Sequence, residues 1–156
     1  READLLSPPD AADDDGLQGA IERVTRGMGL EGQGLTRLEG RLPPGLNLPA
    51  PSRPVLLRVL QQLVLNAHRH AQARQIWVRL QLDGDRLHVL VGDDGIGFDV
   101  AAALAAGDDG AASGLAAAEA RMHAIGGRLV LQSRPGRGTR AVATVPLTDP
   151  ERETTR

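Results

Sequence analysis

Two short runs of alternating apolar and polar residues constrain this chain's fold more than any other feature. Gln75 to Leu82 puts Ile76, Val78, Leu80 and Leu82 on one face, and Arg86 to Val91 does the same with Leu87, Val89 and Val91. Successive side chains of a strand point to opposite sides, so each run has one face to bury and one to leave in water. Asp83-Gly84-Asp85 between them supplies the residues of a tight turn, and the pair is predicted as an antiparallel hairpin. Such a hairpin needs an apolar layer against its buried face.

Helical periodicity elsewhere supplies that layer. Leu17, Ala20, Ile21, Val24 and Met28 form a stripe stopped by Gly27 and Gly29. Ser52 and Pro54 open a second helix, predicted from about Arg53 to Ala71, with Leu56, Val59, Leu60, Leu63 and Ala67 as its apolar stripe. A third runs from Gly114 to Ile125, with Leu115, Ala118, Met122 and Ile125 inward and Gly126-Gly127 as its stop. Leu35 to Gly40 reads as a short edge strand, and Arg41 to Pro54, rich in proline, as a loop. Arg128 to Ser133 and Thr139 to Leu147 read as two further strands joined by Arg134-Pro135-Gly136-Arg137-Gly138. This order predicts an α/β fold: a two-layer α/β sandwich with a mixed, mostly antiparallel sheet and helices on one face.

At 156 residues and 16.4 kDa the chain is the size of one domain. Residues 1–16, with two prolines and the cluster Asp10, Asp13, Asp14 and Asp15, read as a solvated linker that caps and solubilises rather than as a metal site. The domain is predicted over 17–147 and a polar tail over 148–156. Trp77 and Phe98 are the only aromatic residues, so leucine, valine and alanine must build the core. Without cysteine, disulfides, zinc knuckles and thiol chemistry are excluded. The net charge of −2 offers no broad basic surface for nucleic acid or an anionic membrane. No apolar run approaches a membrane span of roughly 20 residues, and the N-terminus carries no signal-peptide pattern. These features predict a soluble, cytosolic domain.

Four segments could carry chemistry. On the helix from Arg53 to Ala71, Gln62, Asn66, Arg69 and His70 share one face opposite the leucine stripe. An asparagine there can ligate a hard cation, and a guanidinium can meet a phosphate, although a solvated polar face explains the same pattern. Asp93-Asp94-Gly95-Ile96-Gly97-Phe98 follows a buried strand. Its carboxylate can accept from an exocyclic amine, and its glycines allow close backbone approach to a ligand, although a tight loop has the same composition. The dinucleotide fingerprint fits poorly for want of a third glycine opening a helix. With no lysine anywhere, phosphate-loop NTPases are excluded. Ser113-Gly114-Leu115 places backbone amides at a helix start, suited to a polyphosphate, after a long Ala/Gly/Asp stretch that reads as a lid or as a surface insertion. Gly136-Arg137-Gly138-Thr139 is a basic turn opening the last strand.

Together and in this order, the four resemble the nucleotide-binding half of bacterial sensor histidine kinases. LVLNAHRHA at 63–71 resembles the N box and DDGIGF at 93–98 the G1 box. Ser113 to Leu115, with the run to Gly127, resembles the G2 region, and GRGT at 136–139 is similar to the closing glycine-threonine element. The nitrate-sensor-like subgroup is the most similar, its link into the domain matched by Leu5 to Val24. The likeness extends over about Leu17 to Leu147. It implies the Bergerat ATP-binding fold shared with gyrase, the Hsp90 chaperones and MutL, with ATP and Mg²⁺ as cofactors. By that likeness Asp93 reads the adenine amine with help from Gly95 and Gly97, and Thr139 supports Asp93 directly or through water. Asn66 holds Mg²⁺ against the phosphates, with Arg69 and His70 near them. The segment from Val100 to Gly114 is the ATP lid, and Ser113, Gly114 and Leu115, where it runs into the helix, contact the ATP.

Two departures stand out. The glutamate usually found four residues before the asparagine is Gln62, which cannot act as a general base, so independent ATP hydrolysis is expected to be poor. The phosphoaccepting histidine of the family lies on a dimerisation helix, and nothing here resembles that helix. His68, His70, His88 and His123 all fall inside the ATP domain, with His68 and His88 expected to be structural or solvated. The expected partners are therefore a histidine-bearing dimerisation domain of the same protein and a response-regulator receiver domain, with no nucleic acid. The isolated domain is expected to be monomeric and cytoplasmic, within a parent protein that a membrane segment elsewhere could anchor. Three other readings remain at this point: a pseudokinase that binds nucleotide without catalysis, a serine kinase of the anti-sigma type, and a binding module that takes no nucleotide.

Overall fold

The computed structural model describes residues 16–27, 35–70, 73–101 and 111–148. Helix α1 spans Gly16–Gly27, strand β1 Leu35–Glu39, helix α2 Ser52–His70 and strand β2 Gln75–Asp83. Strand β3 spans Arg86–Asp93, helix α3 Ala111–Ala124, strand β4 Arg128–Ser133 and strand β5 Thr139–Pro146. Each predicted helix and strand is present, with ends shifted by a few residues at most. The linker reading over 1–16, apart from Gly16, lies outside the described residues. So do Met28, residues 102–110 of the expected lid, and the tail beyond Thr148.

The five strands form one sheet in the order β1-β2-β3-β5-β4. Strand β1 pairs parallel with β2, and every other pairing is antiparallel. Period-two parity is preserved across the sheet, so Ile76, Val78, Leu80, Leu87, Val89, Val91, Ala141, Ala143 and Val145 share the buried side. The three helices cover that side. Leu82, at the far end of the predicted β2 stripe, is 37% exposed because the helical layer stops short of it.

Helix α2 is the centre of the core. Its whole predicted stripe is buried, and so are Leu57 and Val64. The extra burial follows from its place, since α2 packs on the sheet below and against α1 and α3 at its sides. A helix enclosed on three sides needs an apolar arc wider than a single stripe.

Candidate functional site

Register brings the chemistry to one end of the sheet. Asp93 pairs with Ile76 on one side and with Thr139 on the other, and Thr139 pairs with Ser133. These four make one row across β2, β3, β5 and β4. Asp93 shares the parity of Leu87, Val89 and Val91, so its side chain faces the helical layer and is only 7% exposed. Its Oδ1 accepts the Gly95 amide at 2.8 Å. Burial pushes the Asp93 carboxyl above the ordinary carboxylate range, against the pull of amide donors at Gly95 and Thr139; the neighbouring charge of Asp94 adds to the rise.

Asp94 does the opposite work. Its Oδ1 accepts the amides of Gln75 and Arg74, both at 2.9 Å, while its own amide donates to the Gln75 carbonyl at 3.3 Å. The Gln75 amide foremost, then that of Arg74, holds its carboxyl below the ordinary range, with a smaller contribution from the Arg74 charge. Asp94 therefore pins the start of β2 to the end of β3 and leaves Asp93 as the inward carboxylate.

The loop after Asp93 lies on the β4–β5 hairpin. The Gly136 amide donates to the Ile96 carbonyl at 2.6 Å, and the Phe98 amide donates to Ser133 Oγ at 2.8 Å. Gly97 has φ +65° and Gly138 φ +73°, the left-handed region that glycine tolerates best. A Cβ on Gly97 would run into the Arg134 carbonyl, and one on Gly138 into the Asp93 carbonyl. Both positions therefore require glycine for conformation and for space. Beside them opens a groove of about 710 Å³ whose walls include Val100, Leu131, Ser133, Thr139 and the arginines 134, 137 and 140.

A second group of the motif residues lies between α2 and α3. A Cβ on Gly114 would collide with the Gln62 amide, so Gln62 packs directly on the first turn of α3. Asn66 follows one turn later on α2, half-buried, and its Nδ2 is buried without a hydrogen-bond partner. An amide with that capacity left over fits a polar ligand, and its other atom, a carbonyl oxygen, fits a hard cation such as Mg²⁺. With Asp93 and Thr139 as polar groups for a base, the donor set suits a magnesium nucleotide.

The structure thus joins Asp93, Gly95, Gly97 and Thr139 at the sheet end, and Gln62 with Gly114 between the helices. Arg69 and His70 lie in the last turn of α2, and Ser113 in the first turn of α3; their side chains are outside the described residues. Leu115 is a core residue, so only its backbone is open to a ligand. His68 is buried, which lowers its pKa, and His88 Nδ1 pairs with Thr144 Oγ1 at 2.8 Å, as expected for structural histidines. Sequence reasoning missed Ser133 and Asp94. The strand parity that turns Asp93 inward could have shown that Asp94 faces the other way, whereas Ser133 carried no signal beyond its place before a glycine turn.

A sheet covered on one side by helices, with a buried carboxylate and a glycine-rich loop at its end, defines a nucleotide-binding α/β sandwich. The sequence pattern of the histidine kinase-, DNA gyrase B- and HSP90-like ATPases matches residues 52–149, and the chain belongs to that family. The curated relatives it resembles within that family are named as sensor histidine kinases. An uncharacterized sensor-like histidine kinase of Chloroflexus aurantiacus is 38% identical over 111 residues, which are 70% of this chain and 19% of that protein. The oxygen sensor histidine kinase NreB of Staphylococcus carnosus is 34% identical over 97 residues, 61% of this chain and 26% of that one. The chain therefore spans about a fifth to a quarter of these relatives. The histidine kinase domain of the Erythrobacter litoralis EL346 blue-light activated kinase has the same fold. It superposes with a TM-score of 0.64 at 17% identity, covering 94% of this chain and 68% of that one.

Proposed function

We propose that this domain binds Mg-ATP across the sheet end and α2, and presents the γ-phosphoryl group to a histidine on a dimerisation domain of the same protein. The observation that carries this is the buried, amide-anchored carboxylate of Asp93 in a chain of this family. Asp93 accepts from the adenine amine, Gly95 and Gly97 let the loop backbone come close, and Thr139 supports Asp93. Asn66 is the residue that would hold Mg²⁺, with Arg69 and His70 near the phosphates, and the backbone at Ser113, Gly114 and Leu115 would meet them. When bound, Mg²⁺ neutralises phosphate charge. The protein's own contribution is positioning and electrostatic stabilisation. The phosphoryl group would pass next to an aspartate of a response-regulator receiver domain. In this reading residues 1–16 link to the dimerisation domain, 17–147 form the catalytic domain and 148–156 a tail, and the isolated domain is monomeric and cytoplasmic. Among the described residues no helix is long and apolar enough to cross a membrane.

Calorimetric titration with Mg-ADP and a non-hydrolysable Mg-ATP analogue tests the reading. Saturable binding that Asp93→Asn weakens at least about tenfold supports it, and no binding near 1 mM, equivalent to about −4 kcal/mol, overturns it. A second reading, a nucleotide-binding pseudokinase, is favoured by Gln62, whose neutral amide packs on Gly114. Transfer to serine rather than histidine would point to the anti-sigma type of kinase.

A further inference from the structure

Ser133 lies outside every sequence motif of the site, yet its hydroxyl joins two of the segments that build it, the loop after Asp93 and the glycine turn that opens β5. Its Oγ accepts the Phe98 amide at 2.8 Å, donates to the Gly138 carbonyl at 2.9 Å and lies 2.8 Å from Thr139 Oγ1. A serine hydroxyl has one proton and two lone pairs. The proton goes to the Gly138 carbonyl, which can only accept, and one lone pair takes the Phe98 amide. Only a lone pair remains for Thr139, so in that contact the threonine is the donor. Its single proton is then consumed inside the protein, and Thr139 Oγ1 has lone pairs alone to offer a ligand.

Thr139 neighbours Asp93 across the β3–β5 pairing, and an ionised carboxylate is likewise an acceptor only. We propose that Ser133 is a positioning residue that fixes Thr139 as a hydrogen-bond acceptor, so that Thr139 and Asp93 together select a purine bearing a 6-amino group over one bearing a 6-oxo group. This rests on the reading that Asp93 and Thr139 face the base. A hydroxyl free to rotate would serve either purine, accepting from an amine or donating to a carbonyl. With its proton held by Ser133 it meets a 6-oxo group lone pair against lone pair. Sites whose polar groups are left unpaired by a wrong ligand discriminate strongly against it. Ser133 need touch no ligand to exert this effect.

The test compares Mg-ADP with Mg-IDP, which differ at the 6-substituent and in the proton that IDP carries on N1, by calorimetric titration of the whole chain. Wild type is expected to favour ADP. Ser133→Ala releases the Thr139 proton and should shrink the IDP-to-ADP ratio of Kd at least about fivefold, whereas Ser133→Thr, which keeps a hydroxyl, should restore it. In a Thr139→Val background, Ser133→Ala should change the ratio no further. A merely structural role would weaken both nucleotides equally, and an unchanged ratio in Ser133→Ala overturns the proposal. Should Ser133→Ala melt below the titration temperature, Ser133→Cys, similar in size and a weaker hydrogen-bonding group, makes the same comparison with the same two outcomes. Failure of the underlying reading looks different. Wild type would then bind neither nucleotide, or Asp93→Asn would bind ADP as wild type does, and the proposal would fall with it.

Discussion

Asp93 and Asp94 are adjacent carboxylates with opposite fates, and their titrations should move in opposite directions. The Asp93 pKa is raised, so the native protein binds this proton more readily than the unfolded chain. Its ionised form detracts from stability at neutral pH, and the penalty is relieved as pH falls through the raised value. Nucleotide affinity has the opposite dependence, because only the carboxylate accepts from an amine without a proton of its own in the way. Mg-ADP affinity is therefore expected to weaken on acidification at pH values above the ordinary 3.8, before the fold is lost. Asp94, with its pKa lowered, contributes stability that is complete above that ordinary value and disappears as pH falls through the lower, folded one. A pH series of calorimetric Kd and thermal Tm checks both trends, which should separate. Asp93→Asn should reduce ADP affinity by about 10- to 100-fold, the equivalent of a charged hydrogen bond of about 1.5–3 kcal/mol, with a Tm no lower than wild type's. Asp93 was legible in the sequence because it ends a buried strand and is followed by two glycines separated by one residue. Ser133 was illegible because its role depends on three contacts with two separate segments, two of which end on backbone atoms.

At the scale of elements, the sheet end is held by backbone fit as much as by side chains. Gly138→Ala would place a methyl group against the Asp93 carbonyl at a φ of +73°. The expected loss is about 1–3 kcal/mol, read as a fall in Tm, with weaker ADP binding because Asp93 must move. The core should respond by position on its elements. Leu60 on α2 is 1% exposed and Leu82 at the end of β2 is 37% exposed. Leu60→Ala should cost about 2–5 kcal/mol, whereas Leu82→Ala should stay within about 1 kcal/mol; urea unfolding separates them. Both strands of the central hairpin, and the helix layer against them, were legible because periodicity is a direct record of burial. The extra buried positions Leu57 and Val64 were not, since they record the flanking of α2 by α1 and α3, a tertiary arrangement that a single stripe does not encode. The open side of the sheet shows the same limit: Gly92 leaves room for the Trp77 indole lying across it, a cross-strand fit that composition alone conceals.

At the scale of the whole molecule, none of the histidine side chains that the structure describes, His68, His88 and His123, is placed to accept a phosphoryl group from the proposed nucleotide site. His68 is buried with a lowered pKa, and His88 is tied to Thr144 within the sheet. His123 is exposed at the end of α3, the end of that helix remote from the Gln62–Gly114 contact. The chain alone, incubated with Mg-ATP, is therefore expected to accumulate no phosphohistidine. If the proposed function holds, adding a separately produced histidine-bearing dimerisation domain should give acid-labile phosphate on that domain and none on this one. Gln62→Glu then distinguishes a kinase from a degenerate one. If the proton of the acceptor histidine is taken by a group on the dimerisation domain, restoring a carboxylate at Gln62 should change the transfer rate less than about threefold. If this face of α2 must supply the base, the rate should rise by the 10²- to 10⁴-fold typical of general-base catalysis. The new carboxylate would sit against Gly114, at the first turn of α3, where backbone amides favour negative charge. That placement predicts a folded variant with a Tm close to wild type's, so a rate change would report chemistry rather than damage to the fold.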